Sequence, residues 1–523
     1  MKKKHIIYAC LFAGLLSTTA CQDFLEENPK SAVTSAAYYE TAAQAQENVN
    51  SMYRMGAPVR YGSTPSAYHG PTAGTNTFLT GYFSNSYEGQ ELATMYARLL
   101  TRQQNIRTVS NYVNSSWNDS YRVINIANGA IKHIPNIEMD ENTKSKLIAE
   151  AKFFRAFNYF YLVKTFGNIP MPVEPYETLE NLEMEQSTPA AVYALIEEDL
   201  NAAVDVLPAS MFTSNGYRIT KYVAAMTLAN VYLQQSKFAE AATAARIVTN
   251  SPHKLAENDN LEMGSAFNKL RTTDNLAETI YSYEFDGTIS SSGAWPTYAF
   301  SSAATAIFGT YSIFERVYGP TNRFLNVYED DDLRIQPNQF FHWEYTNPNN
   351  GEEWSSDVAG IWYFYDEDAV LNTGRGTKDW NIYRYAEALL IAAEAIAESE
   401  GVTPEAAGYL AEIKARADMH GKTVAQYTVE LLLLSKQDFV EEVWTERLRE
   451  LPLEFKMWDD CVRTGMFPVI SESVEGQVTY TPLIGAQNGA GAVFKDSDLL
   501  WPISIDELQR NPKLDQNPGY PRE

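Results

Sequence analysis

The apolar residues of this chain recur at intervals of three and four positions over long stretches. In Ala149–Lys164, the clearest example, the residues on one stripe of a helix are Ala149, Phe153, Ala156, Phe157, Phe160 and Tyr161. Gly167 and Pro170 follow, and both residue types end helices. This spacing predicts a mainly α-helical fold.

Two signals predict that the helices come in pairs. Thr188 is a suitable N-cap and Pro189 a tolerated first residue for a helix over Ala190–Leu207. In Lys221–Asn250, small residues alternate with large ones around a break at Ser236, which predicts a tetratricopeptide-like helical hairpin. The same pattern predicts further helices at Asn48–Tyr53 and Tyr121–Ile134, and a second hairpin at Tyr383–Glu398 and Pro404–Met419.

Three long regions, at about 56–90, 257–376 and 480–499, lack this periodicity. The second of them carries four tryptophans, namely Trp295, Trp343, Trp354 and Trp362. Irregular regions of this length in a compact protein are usually functional or disordered. Because their aromatic content argues against disorder, we expect these regions to carry function.

Residues 1–20 resemble the leader of a bacterial lipoprotein. Lys2–Lys4 precede the apolar stretch Ile6–Leu16, whose 11 residues are too few to span a bilayer but suit a secretory signal. Small residues then lead to Cys21, the predicted lipidation site. Several acyl chains on Cys21 would give stable anchoring. The alternative is a plain signal peptide that is cleaved elsewhere.

The chain is strongly acidic, with a net charge of −25, and removal of the three leader lysines takes the mature chain from −25 to −28. Such a surface repels phosphate backbones and anionic headgroups, whereas neutral sugars meet no repulsion. Cys10 lies in the leader and Cys461 has no obvious partner. The sequence therefore excludes a disulfide framework and a cysteine-type zinc site.

Several segments resemble the SusD/RagB family of outer-membrane nutrient-binding lipoproteins, in family order along nearly the whole chain. They are Cys21–Pro29, Ala149–Pro170, Ser187–Leu200, Arg384–Leu390, Leu500–Pro512 and Gln516–Tyr520. One segment, Glu454–Trp458, departs from the family, which often has Glu-Gly-Arg before this tryptophan. Arg384 and Glu387, one helical turn apart, are interpreted as a solvated or capping pair.

The resemblance implies one domain over residues 21–523, with tetratricopeptide-like hairpins in a superhelical body and a loop-rich face that binds glycan. It further implies a lipid-anchored protein on the cell exterior, docked on a SusC-type TonB-dependent transporter. Glycan recognition needs an aromatic platform with nearby polar groups. Three loop segments offer both, and the predicted ligand-binding residues are Tyr82, Asn85, Tyr87, Trp295, Tyr298, Trp343 and Tyr345, with Arg323 as a further polar partner. The alternative for each aromatic residue is packing within the loops or against the transporter.

The sequence contains no serine-hydrolase elbow, zinc-protease motif or phosphate-binding loop, so we expect no enzymatic activity. A glycosidase, which needs only two carboxylates, and a peptide-binding or scaffolding protein of the same fold are the alternatives. No cofactor is expected. The run Glu329–Asp332 could hold a structural calcium ion, although it lacks the spacing of a calcium loop, and an acidic solvated turn is the alternative.

Overall fold

The computed structural model describes residues 39–59, 73–85, 92–177, 182–286, 293, 295–298 and 318–522. Its α-helices are α1 Ala42–Met52, α2 Ala73–Leu79, α3 Leu92–Arg98, α4 Ile106–His133, α5 Glu141–Phe166, α6 Pro189–Val206, α7 Lys221–Gln234, α8 Phe238–Thr249, α9 Ala266–Thr272, α10 Trp295–Tyr298, α11 Asn322–Leu325, α12 Tyr385–Glu400, α13 Pro404–Ala417, α14 Val424–Leu431, α15 Lys436–Glu450, α16 Met457–Thr464 and α17 Ile505–Arg510. Its strands are β1 Phe83–Ser84, β2 Thr279–Tyr283, β3 Gly319–Pro320, β4 Phe341–Thr346, β5 Glu353–Ile361, β6 Trp380–Arg384, β7 Met466–Ile470 and β8 Val478–Pro482.

The long helices form the body of the molecule. Helices α4 to α8 each pack against the next one, and α8 packs against α12, which in turn contacts α13 and α15. The predicted mainly helical fold is therefore confirmed, as are the helix pairs α7–α8 and α12–α13. The chain between α8 and α12 is an insertion into this body, and it carries most of the strands.

Local signals set the helix ends. The hydroxyl of Thr188 accepts a hydrogen bond from the backbone N–H of Ala191, so the predicted N-cap of α6 is confirmed. Helix α5 begins at Glu141, earlier than predicted, because the carboxylate of Asp140 accepts a hydrogen bond from Thr143 N at 2.9 Å. Helix α5 ends at Phe166, and the next residue, Gly167, is its C-cap with a φ of +70° that suits glycine.

The strands form four antiparallel pairs, of which β2–β6 is the most buried. Tyr283 pairs with Trp380 at one end of this ladder and Thr279 with Arg384 at the other. All residues of both strands are buried, so neither strand shows the alternation of polar and apolar residues that identifies a half-buried strand. The region 257–376, predicted to be irregular, therefore contains regular elements, since α9, β4 and β5 also lie in it. The helix predicted from Tyr383 begins at Tyr385, because Tyr383 belongs to β6.

A buried network of ion pairs joins the helical body to the insertion. Glu450, the last residue of α15, contacts Arg384 at 3.0 Å, Arg416 at 2.5 Å and Arg334 at 3.1 Å. Arg384 also donates a hydrogen bond to Glu278, directly before β2. These five side chains are all buried. Because a buried charge without its partner is strongly destabilising, the network fixes the relative positions of α15, α13, β2 and β6.

Glu454, in the turn that follows α15, also belongs to this network. It accepts a hydrogen bond from Nε of Arg384 at 2.5 Å. Arg384 also faces Glu278 and Glu450, so one guanidinium is shared among three carboxylates. Burial therefore outweighs the attraction of Arg384 and raises the pKa of Glu454 to about 7.

The interpretation of Arg384 and Glu387 as a solvated or capping pair is wrong. Arg384 is 0% exposed and Glu387 1% exposed, and each has other charged partners. Glu387 lies 3.1 Å from Nζ of Lys456 and 3.9 Å from Arg447. Their spacing of one helical turn was misleading because Arg384 is the last residue of β6 and not part of α12.

Arg384→Met should destabilise the protein by about 3–5 kcal/mol, because it leaves buried carboxylates without their cation. A matched control is Arg246→Met, which breaks partly exposed pairs with Glu400 and Glu405 and should cost at most about 1 kcal/mol. Urea unfolding of both variants measures the difference. If both variants lost the same small amount of unfolding free energy, a structural role for the network would be contradicted.

Glu454→Gln should flatten the dependence of stability on pH. The pKa of Glu454 is about 7 in the folded protein and about 4.3 in an unfolded chain, so the folded state holds this proton more tightly. Its stabilisation is present below the unfolded pKa and is lost as the pH rises through the folded pKa. Between about pH 5 and about pH 8, the free energy of unfolding of the wild type should fall relative to that of the variant, by at most about 3 kcal/mol. Parallel curves for the two proteins would show that Glu454 keeps an ordinary pKa.

Candidate functional site

A cleft of about 310 Å³ opens beside the end of the β2–β6 ladder where Trp380 lies. We call it the aromatic cleft. Its aromatic and polar lining includes Arg271, Phe285, Trp295, Tyr363, Phe364, Tyr365, Lys378, Trp380 and Asn381. These residues come from α9, from the segment after β2, from α10, from the segment after β5 and from β6. The cleft is therefore built by the insertion and positioned by the ladder that the ion network holds.

Stacked rings form the base of the cleft. Trp380 stacks on Phe455 with ring centroids 5.2 Å apart and on Phe364 at 5.3 Å, and Trp295 contacts all three rings at 5.2 to 5.6 Å. Phe455 has a left-handed backbone with φ of +61°, a conformation that costs about 1 kcal/mol for a residue other than glycine. Contact of the Phe455 ring with the rings of Trp295, Tyr318 and Trp380 offsets this strain. The same position falls in the segment that departs from the family pattern.

Tyr365 provides a partly exposed ring on the wall of the cleft. It stacks on Trp362 with centroids 4.3 Å apart and planes within 8° of parallel. The guanidinium of Arg271 lies 4.8 Å from the ring centroid of Trp362 and donates to the carbonyl oxygen of Tyr365 at 3.0 Å. Oδ1 of the buried Asn268 accepts from Nε1 of Trp362 at 3.0 Å. These contacts hold the Tyr365 platform in a fixed orientation.

A close approach of two glycines shapes the wall. Gly293 and Gly376 exchange backbone hydrogen bonds of 2.9 and 3.0 Å across the cleft lining. A Cβ on Gly376 would lie 2.7 Å from Cγ of Pro296, so a side chain there would push the wall apart.

Hydrogen-bonding groups line the same cleft. Nε1 of Trp380 and Oε2 of Glu454 are buried and have no hydrogen-bond partner among the described residues. Such groups are rare in folded proteins, and a hydroxyl can satisfy both a donor and an acceptor. The charged residues of the lining are mostly acidic: Arg271 and Lys378 against Asp274, Asp366, Glu367, Asp379 and Glu454. The arrangement suits an uncharged ligand with hydroxyl groups and apolar ring faces.

Two of the predicted ligand-binding residues lie in the core instead of on a loop surface. Tyr82 is 1% exposed, its ring stacks on Phe467 at 5.5 Å, and its hydroxyl donates to the carbonyl oxygen of Pro468 at 2.6 Å. Burial raises the pKa of Tyr82 to about 12. Asn85 is also buried and donates to Oγ1 of Thr94 at 3.3 Å. A sugar could reach Tyr82 only by opening this packing, which corrects the interpretation of its segment as an exposed platform.

Among the described residues, the other predicted side chains do not converge on one surface. Tyr345 is buried in β4 and stacks on Trp354, and Trp343 on the same strand is only partly exposed; neither lines the aromatic cleft. Arg323 donates to the carbonyl oxygen of Ile470 and pairs with Glu472. Tyr87 and the side chain of Tyr298 lie outside the described residues. Of the predicted set, the structure places Trp295 in the cleft.

Sequence reasoning missed most of the cleft, namely Arg271, Tyr363, Tyr365, Trp380 and Asn381. One usable signal was the run of four aromatic residues from Trp362 to Tyr365, followed by three acids. Nothing local marked Arg271 or Trp380. Trp380 joins the site through the pairing of β6 with β2, and Arg271 joins it from α9, where it donates to the carbonyl oxygen of Tyr365.

The remaining predictions fall on other parts of the molecule. Residues 1–38, including Cys21, lie outside the described residues. In the acidic run, Asp332 pairs with Arg334 at 2.6 Å and Asp331 lies 3.4 Å from His420. Within the described ranges, no group of three or more His, Cys, Asp or Glu side chains is placed to hold a metal ion. None of the helices described has the length and apolarity that crossing a membrane requires.

Comparison with known proteins agrees with this architecture. Residues 308–520 match the model of the SusD family, and residues 23–233 match a family described as starch-binding associating with outer membrane. SusD-like protein P2 of Formosa agariphila is 28% identical over 99% of this chain and 100% of its own length.

Solved structures share the fold along most of the chain. A SusD superfamily protein from Parabacteroides distasonis is 25% identical with a TM-score of 0.77, and the match covers 91% of this chain and 99% of that one. Surface glycan-binding protein A from Bacteroides thetaiotaomicron, in complex with laminarihexaose, is 17% identical with a TM-score of 0.66 over 92% of this chain and 100% of that one. Family models match both halves of the chain, and both the sequence relative and the solved structure are matched along nearly their whole lengths. This chain therefore belongs to the SusD/RagB family.

Proposed function

We propose that this protein captures a neutral glycan in the aromatic cleft and does not break it. The observation that carries the proposal is the Tyr365 platform beside buried, unsatisfied polar groups in one cleft. The C–H faces of a sugar ring stack on an aromatic ring, while its hydroxyls take hydrogen bonds from fixed polar groups. The volume of about 310 Å³ lies at the lower end of the range for small-molecule sites.

The charge of the site selects among glycans. Two cations and five acids line the aromatic cleft, and the whole chain carries −25. A uronic acid or a sulfated sugar would meet repulsion there, whereas a neutral sugar would not. The related protein from Bacteroides thetaiotaomicron was solved with laminarihexaose, a neutral oligosaccharide, which supports this choice.

The same proposal includes the location of the protein and its partner. Acyl chains on Cys21 would tether it to the outer membrane, facing outward, and the captured glycan would pass to a SusC-type TonB-dependent transporter. The match to a family described as associating with outer membrane supports this location. Mass spectrometry of the N-terminal peptide tests the anchor directly, and an unmodified Cys21 would overturn it.

Tyr365→Ala should weaken binding of a neutral oligosaccharide by about tenfold or more, because it removes the stacking surface. Affinity gels with neutral polysaccharides, including laminarin and starch, first identify the glycan that retards the wild type, and isothermal titration then measures its oligosaccharide. Tyr176→Ala is the matched control, since Tyr176 is exposed and lies outside the cleft.

Three outcomes would overturn the proposal. The wild type could bind no glycan, Tyr365→Ala could bind as well as the wild type, or incubation with the polysaccharide could release shorter sugars. The last result would favour the alternative of a glycosidase, which needs only two carboxylates.

A further inference from the structure

A second cavity, of about 260 Å³, lies outside the aromatic cleft. We call it the tyrosine cavity. Its aromatic lining consists of Tyr53, Phe212, Tyr217, Tyr281 and Tyr283. Phe212, Tyr281 and Tyr283 are buried and form its base, whereas Tyr53 and Tyr217 are more exposed. Phenol rings offer apolar faces with a polar edge, which is the same recognition chemistry as in the aromatic cleft.

Tyr217 is held in an unusual conformation at the mouth of this cavity. Its backbone has φ of +58°, a left-handed conformation that is a genuine outlier for a bulky residue. The side chain is nevertheless 38% exposed, and its ring meets the buried Phe212 edge-on at 5.7 Å. An asparagine or glycine would suit this backbone better. Backbone strain that persists at a residue with an exposed ring points to a functional role for that ring.

Polar groups at the cavity have fixed positions. The guanidinium of Arg54 lies 4.4 Å from the ring centroid of Tyr283 and donates to the carbonyl oxygen of Glu284 at 2.6 Å. The hydroxyl of Tyr53 donates to Glu150 at 2.7 Å and accepts from Ile219 N at 2.8 Å. The cavity thus combines a rigid aromatic lining with N–H donors, as a sugar site requires.

The tyrosine cavity and the aromatic cleft share one wall. Glu284 lines the cavity, while its neighbour Phe285 lines the cleft. Asp379, also in the cleft lining, accepts a hydrogen bond from the backbone N–H of Phe285 at 2.8 Å and bonds to the Glu284 carboxyl. Burial, followed by the contact with Asp379, raises the pKa of Glu284 to about 8, so the Glu284 carboxyl is largely protonated at neutral pH. A neutral chain meets little electrostatic barrier between the two sites.

We infer that the tyrosine cavity is a second saccharide subsite, which binds a distant part of the same neutral glycan chain that the aromatic cleft holds. This inference rests on the proposed function of the cleft. A short oligosaccharide fills the cleft alone. A long chain engages both sites, and the second contact then forms at the high effective concentration set by the first.

Tyr217→Asn tests the inference, because it removes the ring and relieves the left-handed strain, so the variant should fold at least as well as the wild type. Two probes are compared by titration: an oligosaccharide of about three sugars, sized to the cleft, and the undigested polysaccharide that retards the wild type. We expect unchanged binding of the short probe and at least about tenfold weaker binding of the polysaccharide. Tyr217→Phe keeps the ring and should bind both probes like the wild type.

The outcomes separate this inference from the proposed function. If Tyr365→Ala loses both probes while Tyr217→Asn binds both like the wild type, the cleft is the glycan site and the second subsite is wrong. If Tyr217→Asn weakens the binding of both probes equally, the second subsite is also wrong. The substitution would then disturb the aromatic cleft itself and not a separate contact with the long chain. If the wild type binds neither probe, the proposed function fails and the inference fails with it.

Discussion

The buried ion network around Glu450 determines how the helical body and the insertion meet. Glu450 contacts Arg334, Arg384 and Arg416, and these side chains come from segments far apart in the chain. A charge that is removed from water needs its partners in place, so the network tolerates little variation in how α13, α15 and the β2–β6 ladder meet. It adds specificity of arrangement to a helical body whose stability comes mainly from apolar burial.

The position of the cleft follows from that constraint. Strand β6 carries Arg384 at one end and Trp380 at the other, and Glu454, which pairs with Arg384, is followed by Phe455, on which Trp380 stacks. Strand β6 and the pair Glu454 and Phe455 therefore contribute both to the ion network and to the aromatic base of the cleft. A rigid base of this kind lowers the entropy that a ligand loses on binding, because the rings are already ordered. The left-handed backbone of Phe455 is the strain that accompanies this order.

The helical body was predictable from sequence and the site was largely not, for one physical reason. Helix caps such as Thr188 and breaks such as Ser236 act within a few residues, so their signals are local. The cleft depends instead on which strands pair. The sequence around Trp380 has no alternation of polar and apolar residues, because β6 is buried throughout. Tyr82 follows a glycine in a polar stretch and so resembled a loop residue, but in the folded protein its ring stacks on Phe467. Trp295 was predicted from the tryptophans of the insertion, but the same reasoning selected Trp343, which does not line the cleft.

A crystal structure of the protein with a bound neutral oligosaccharide would show whether the aromatic cleft holds the sugar. We expect a sugar ring stacked on Tyr365 inside the aromatic cleft, with a hydroxyl within hydrogen-bonding distance of Nε1 of Trp380. A sugar bound elsewhere, for example on Trp343 of β4, with the aromatic cleft left empty, would contradict it.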